Sequence, residues 1–556
     1  MSRFLLALMV LITSGCASTK YDLILRNATI YDGSGDAPFV GDVAIAGDTI
    51  AAIGNLSSSQ ARNVLELKGL AMAPGFINML SWANTSLIED GRSQGDIRQG
   101  VTLEVLGEGL SMGPLTDSMK ETMKKEQGDI KYDISWTTLG EYLQFLEDKG
   151  ISTNVASFVG NGTLRRYVIG NDNRSATPQE VAQMKALLKQ AMQEGAVGIS
   201  SALLYAPSAY ADTQELIELA QVAAHHNGMY ISHIRSEGDE LLEAIDEVIT
   251  IARKAAIAAE IYHLKASGQG NWHKLDAAIV KIEKARADGL SITANMYPYP
   301  ASSTGLDVQL PDWVREGGAE ATVMRLHDPA LRQRILNEVT FDSPPQSILL
   351  AGFRNKKLRK YTGKRLTEVA TMVGKSPAET LIDLIVEDDS RIQAIYFSMS
   401  DDNIVKKLAL PWISFCSDAA SYTNEGIFIR QSTHPRAYGS FARVLGKYVR
   451  DERVITLQEA VRKLTALPAD NLQIKKRGRL QVGHHADIVV FDAAKIQDVA
   501  TFESPHQYSE GVVHVWVNGI QVLENGEHTG ANAGRFVKGP GWTGPAPSGK
   551  KRQRGY

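Results

Sequence analysis

Residues 73–85, A-P-G-F-I-N-M-L-S-W-A-N-T, read as a buried strand opening on Pro-Gly. This is the first of eight short apolar runs, whose cores are residues 72–79, 102–107, 153–160, 196–201, 228–234, 259–264, 291–297 and 411–417. Long amphipathic stretches separate them, among them residues 178–195, 213–226 and 239–255. Short buried strands alternating with helices predict an α/β fold, and eight of them predict a (β/α)8 TIM-like barrel. Two further β-like runs, residues 346–351 and 393–399, predict an insertion between the seventh and eighth strands.

The two ends of the chain have a different texture. Residues 21–56 read as short strands punctuated by Gly and Asp, and residues 478–492 and 511–524 repeat the pattern. Hairpins that bracket a barrel predict one small β-sandwich domain built from both ends. The expected division is therefore a sandwich from residues 21–70 and 472–538 around a barrel spanning 71–471. The Pro/Gly-rich, basic stretch 539–556 is expected to be a disordered tail.

Residues 1–20 carry a short basic start, the apolar run F-L-L-A-L-M-V-L-I at 4–12, and Thr13-Ser14-Gly15-Cys16. That pattern predicts a secretory signal rather than part of the fold. The small residues before Cys16 resemble a bacterial lipobox, although Thr13 stands where such boxes usually carry Leu. The expectation is export to the periplasm, with possible membrane attachment through lipidated Cys16. Cys416 is then the one cysteine left, so no internal disulfide is available. The chain is 44% hydrophobic with a net charge of −4, which excludes the strong basic excess of a nucleic-acid binder.

Barrel enzymes place their chemistry at the C-terminal ends of the strands. Here four separate runs end on ionisable groups: Glu108 after the second, His233 at the fifth, His263 at the sixth and Asp418 after the eighth. A single histidine or aspartate in such a place is more often a hydrogen-bonded structural residue or a helix cap. Four together point to a metal site. Imidazole and carboxylate suit zinc, which keeps an open position for water and brings the pKa of that water to about 7. A further carboxylate could then move its proton. A rival reading is a serine hydrolase: G-x-S-x-G occurs at residues 91–95 and 109–113, and the second follows a strand, which makes Ser111 a candidate nucleophile. The basic run R-N-K-K-L-R-K at 354–360 is expected to be a solvated face.

Several motifs give the chain a resemblance to the N-acyl-D-amino-acid deacylases (D-aminoacylases) of the amidohydrolase superfamily. They are Q-G-V-T at 99–102, S-H-I-R-S-E-G-D at 232–239, H-L-K at 263–265, Y-P-Y-P-A-S-S-T-G at 297–305, H-P-R-A-Y-G at 434–439 and A-D-I-V-V-F-D at 486–492. The resemblance covers roughly residues 21–538. It implies a zinc-bearing barrel beside a β-sandwich, metal ligation by His233 and His263, and Asp418 as general base. It also implies that Lys265, Tyr297, Ser303 and Arg436 hold a substrate carboxylate. Arg suits that task as a planar fork and Lys as a point charge.

The departures are as specific. The family pattern P-G-F-I-D followed by H-x-H becomes Pro74-Gly75-Phe76-Ile77-Asn78 followed by Leu80 and Trp82, neither of which ligates zinc. The family's metal-binding cysteine after the second strand is matched by Glu108, a harder but legitimate ligand. Asn161 also stands where a relative can carry His. One zinc ion (Zn2+) is therefore expected, on Glu108, His233 and His263, with Leu80 and Trp82 filling the second position with apolar bulk. The expected activity is hydrolysis of a small-molecule amide carrying a free carboxylate, an N-acyl-D-amino acid. Cyclic amides or dipeptides remain an alternative substrate class, and a catalytically degenerate binding lipoprotein an alternative role.

Overall fold

The computed structural model describes residues 20–341 and 343–544. The signal stretch with Cys16 and residues 545–556 lie outside the described residues.

The two ends of the chain form one hydrogen-bonded sheet of nine strands. Its organising strand is Tyr21–Ile30, which pairs antiparallel with Phe39–Ala46 and parallel with both Ala61–Glu66 and Ala71–Pro74. Ala71–Pro74 in turn pairs antiparallel with Ile488–Phe491, which leads to Val512–Val517, Ile520–Glu524 and Glu527–His528. Both ends feed one apolar core: Leu25, Val43 and Ile45 pack with Ile488, Val490 and Trp516.

The chain crosses from this sheet into the barrel at Gly75. Ala71–Pro74 belongs to the terminal sheet and Phe76–Asn78 is the first barrel strand. The boundary thus falls four residues later than the apolar run alone suggested, because one uninterrupted run serves both units. The remaining barrel strands are Val101–Leu106, Asn154–Ser157 continued by Val159–Gly160, Gly198–Ala202, Met229–His233, Ala259–Ile261, Ile292–Met296 and Ile413–Phe415. Neighbours pair in parallel around the ring. The ring closes where Met79 N–H donates to the Phe415 carbonyl at 3.3 Å and Ser81 bridges Ala419. These strands are buried along their length, as expected of parallel strands covered on the outside by helices.

The predicted insertion is present and larger than two strands. Ser302–Gly305, Gln393–Tyr396 and Ile348–Gly352 form a three-stranded antiparallel sheet in that order, with a separate core that includes Leu306, Leu350 and Leu381. The C-terminal stretch needs a correction. Arg535–Val537 hydrogen-bonds along Val155 of the third barrel strand, and Gly539 and Thr543 donate to the carbonyls of Gly195 and Gln193. The chain is therefore fixed on the barrel as far as residue 543, because Gly539 and Gly541 present no side chain where Ala196 and His226 press close.

Candidate active site

The four strand-end residues meet at one end of the barrel, each delivered by a different strand. Glu108 sits between Gly107 (φ +97°) and Gly109 (φ +60°), both in the left-handed region. A Cβ on Gly107 would lie 2.3 Å from the Phe158 carbonyl oxygen. Only glycine lets the chain turn this tightly, and the turn puts the Glu108 side chain into the barrel mouth. His263 and Asp418 also adopt left-handed backbone, with φ +36° and +48°. For non-glycine residues that conformation costs on the order of 1–3 kcal/mol and concentrates at functional sites.

Glu108 Oε1 lies 2.8 Å from His263 Nε2 and 3.2 Å from His233 Nδ1, and the two imidazole nitrogens are 3.0 Å apart. All three side chains are buried. The set fits a metal. A tetrahedral zinc with bonds of about 2.0–2.1 Å separates its ligand atoms by roughly 3.3–3.4 Å, so a small outward shift accommodates one. The outward nitrogens differ: His233 Nε2 is buried without a partner, whereas His263 Nδ1 lies 2.9 Å from Glu237 Oε1 and 2.7 Å from Lys265 Nζ. A carboxylate behind a ligating imidazole fixes its orientation and raises its basicity.

The electrostatics are tightly linked. Burial opposes charge on His263, as does the Lys265 ammonium, yet the carboxylates of Glu237 and Glu108 outweigh both and raise it to about 9. Burial would raise Glu108, but the two histidines hold it low. Glu237 is held low against its burial chiefly by Lys265, which contacts it directly. Glu237 lies inside the motif at 232–239 without being singled out by the sequence. It ends no strand, and the backing carboxylate shows only once His263 and Lys265 are placed in space.

Asp418 stands beside this cluster with a contact on each oxygen. Arg436 Nη1 is 2.8 Å from Oδ2, and Trp82 Nε1–H donates to Oδ1 at 3.1 Å. Arg436 lies over the Tyr297 ring, 4.4 Å from its centre, and Lys265 is 5.7 Å from the same centre. His434 supports this wall: its Nδ1 accepts from the Arg436 backbone N–H at 3.0 Å. Arg436 Nη1 is near Asp418 but not aligned for a hydrogen bond; it and Nε are buried without a hydrogen-bond partner, as is the Tyr297 hydroxyl.

The second strand-one position differs from expectation. Leu80 is fully buried among Ile77, Tyr262 and Tyr297 and does fill the barrel interior. Trp82 does not act as apolar filler: it is 37% exposed, and its N–H is spent on Asp418. Ser303 belongs to the insertion sheet, where its hydroxyl donates to the Ala394 carbonyl and accepts from Gln393. The insertion reaches the cluster through its neighbour Thr304, which bonds Tyr205 at 2.9 Å; the Tyr205 ring centre is 5.2 Å from that of His233. Asn161 is buried, bonded to Ser208, with its Nδ2 unpartnered. The Ser111 hydroxyl donates to the Gly113 carbonyl and accepts from Gly160 N–H, so it pins a loop rather than facing a base.

Residues 63–523 match the profile of the Amidohydrolase family. The chain is an amidohydrolase. A D-aminoacylase from Alcaligenes xylosoxydans xylosoxydans is 33% identical over 528 residues, covering 94% of this chain and 98% of the relative. A solved D-aminoacylase structure, described as having a binuclear metal centre with one-metal activation and second-metal attenuation, aligns at 31% identity and a TM-score of 0.79. It covers 93% of this chain and all of that one. An N-acyl-D-glutamate deacylase from Bordetella bronchiseptica, complexed with zinc and a phosphonate mimic of the tetrahedral intermediate, aligns at 29% identity and a TM-score of 0.78. The coverage is 93% of this amidohydrolase and 100% of the deacylase.

Proposed function

We propose that the protein is a single-zinc amidohydrolase that removes the acyl group from N-acyl-D-amino acids. Glu108 Oε1, His233 Nδ1 and His263 Nε2 would hold the ion, which when bound polarises the scissile carbonyl and makes water a nucleophile near neutral pH. Glu237 orients His263. Asp418 takes a proton from the attacking water and delivers it to the departing nitrogen. Arg436, Tyr297 and Lys265 line the side of the site that receives the substrate carboxylate.

The observation that carries the substrate class is the unspent donor set. Arg436 Nε and Nη1 and the Tyr297 hydroxyl are buried without hydrogen bonds. Buried donors left unpaired cost roughly 1–3 kcal/mol each, and an arriving carboxylate would relieve that cost. A ligand without a carboxylate would leave Arg436 Nε and the Tyr297 hydroxyl unbonded, with Asp418 the guanidinium's one charged neighbour at 2.8 Å, and a binding scaffold would have no use for Asp418. The D configuration rests on the deacylase relatives. Export and lipidation at Cys16 rest on the N-terminal residues, and the mass of the mature N-terminal peptide tests them.

The deciding experiment pairs metal analysis with a panel of N-acyl-D- and N-acyl-L-amino acids. Wild-type protein is expected to hold about one zinc per chain and to hydrolyse the D series. His263→Ala is expected to lose both metal and turnover. Wild-type protein that binds no metal, or that is inactive across the panel, would refute the reading.

A further inference from the structure

We infer that Trp82 is a positioning residue that sets Asp418 for proton transfer. The inference rests on the reading of Asp418 as the base.

The geometry begins in the backbone. Asp418 N–H donates to the Leu80 carbonyl at 2.9 Å and Trp82 N–H donates to the Ala419 carbonyl at 3.0 Å. The loop after the first strand is thereby laced to the loop after the eighth, and the two side chains between the laces are held at a fixed register. Ser417 and Asn78 extend the lacing below, with Ser417 N–H donating to Asn78 Oδ1 at 2.9 Å. The indole N–H then meets Asp418 Oδ1 at 3.1 Å while the guanidinium stands at Oδ2.

A neutral N–H and a cation act differently on a carboxylate oxygen. The Arg436 cation at Oδ2 holds charge against the carboxylate. An N–H fixes the carboxylate direction and leaves a second lone pair on the same oxygen free. Leu80, buried in the apolar cluster that also holds Tyr262 and Tyr297, has no polar side-chain atom to offer. The indole thus orients the base without competing with a proton for it.

Two measurements decide the matter. The Trp82→Phe variant keeps an aromatic ring, smaller than the indole, and removes the N–H. With zinc content unchanged, its kcat should fall about tenfold, the worth of one hydrogen bond to a charged group, while KM stays within twofold. A kcat within twofold of wild type, or a KM that rises at constant kcat, would overturn the inference. The second measurement needs no turnover. In 15N-tryptophan-labelled protein, the indole resonance absent from Trp82→Phe belongs to Trp82, and Asp418→Asn should shift it. An unmoved resonance would show that the contact is not made in solution. Inactivity of wild-type protein on every N-acyl-D-amino acid would defeat the substrate reading alone, leaving the indole measurement to judge Trp82.

Discussion

At the scale of single residues, the site separates groups that would hold the ion from groups that orient them. Glu237 belongs to the second set, since it lies 2.9 Å from His263 Nδ1. Glu237→Gln keeps the shape and removes the charge. Its expected effect is a 10- to 100-fold loss in zinc affinity or activity, read by competition with a chelator, and an affinity equal to wild type would contradict the role. Glu108, His233 and His263 were legible in the sequence because each closes an apolar run. Glu237 and the donor role of Trp82 were not, because each matters through a partner brought in from a distant strand. Trp82 and Asp418 are joined only when the first and eighth strands close the ring, and no periodicity records that meeting.

At the scale of elements, the eight apolar runs became the eight barrel strands, since a strand buried on both faces has no other way to appear in a sequence. The junction with the terminal sheet was harder to place, because residues 71–77 carry no polar side chain and the sign of the change of unit is Gly75. A Cβ there would lie 2.1 Å from Thr102 Oγ1 and 2.7 Å from Thr102 Cβ, a β-branched neighbour on a buried strand that cannot step aside. Gly75→Ala is therefore expected to cost about 1–3 kcal/mol in urea unfolding, while Gly128→Ala, where a new Cβ meets nothing within 4 Å, should change little. Equal effects of the two substitutions would refute this account of the junction.

At the scale of the whole molecule, stability carries a signature of buried lysines. Burial, helped at Lys407 by the nearby Lys265, lowers both Lys407 and Lys463 from 10.5 to about 7. Their ammonium ends donate to backbone carbonyls, Lys407 to Leu264 at 2.6 Å and Lys463 to Leu410 at 2.8 Å. The unfolded chain protonates such a lysine at a higher pH than the folded one does. The resulting destabilisation is fully present below pH 7 and fades as pH climbs toward 10.5. Wild-type urea midpoints should rise between pH 7 and 9.5, and Lys407→Met should flatten part of that rise. Parallel profiles for the two proteins would contradict the assignment.

The pairing of Ala71–Pro74 with Ile488–Phe491 has a consequence for how the protein comes into being. During synthesis the N-terminal hairpins emerge with an open flank that stays bare until some four hundred further residues have been made. Contacts between such distant segments form slowly, and an exposed strand flank invites pairing with other chains. A nascent chain of this kind depends on being shielded while it waits, and a product cut short before Ile488 would leave its first hairpins without the strand that completes them.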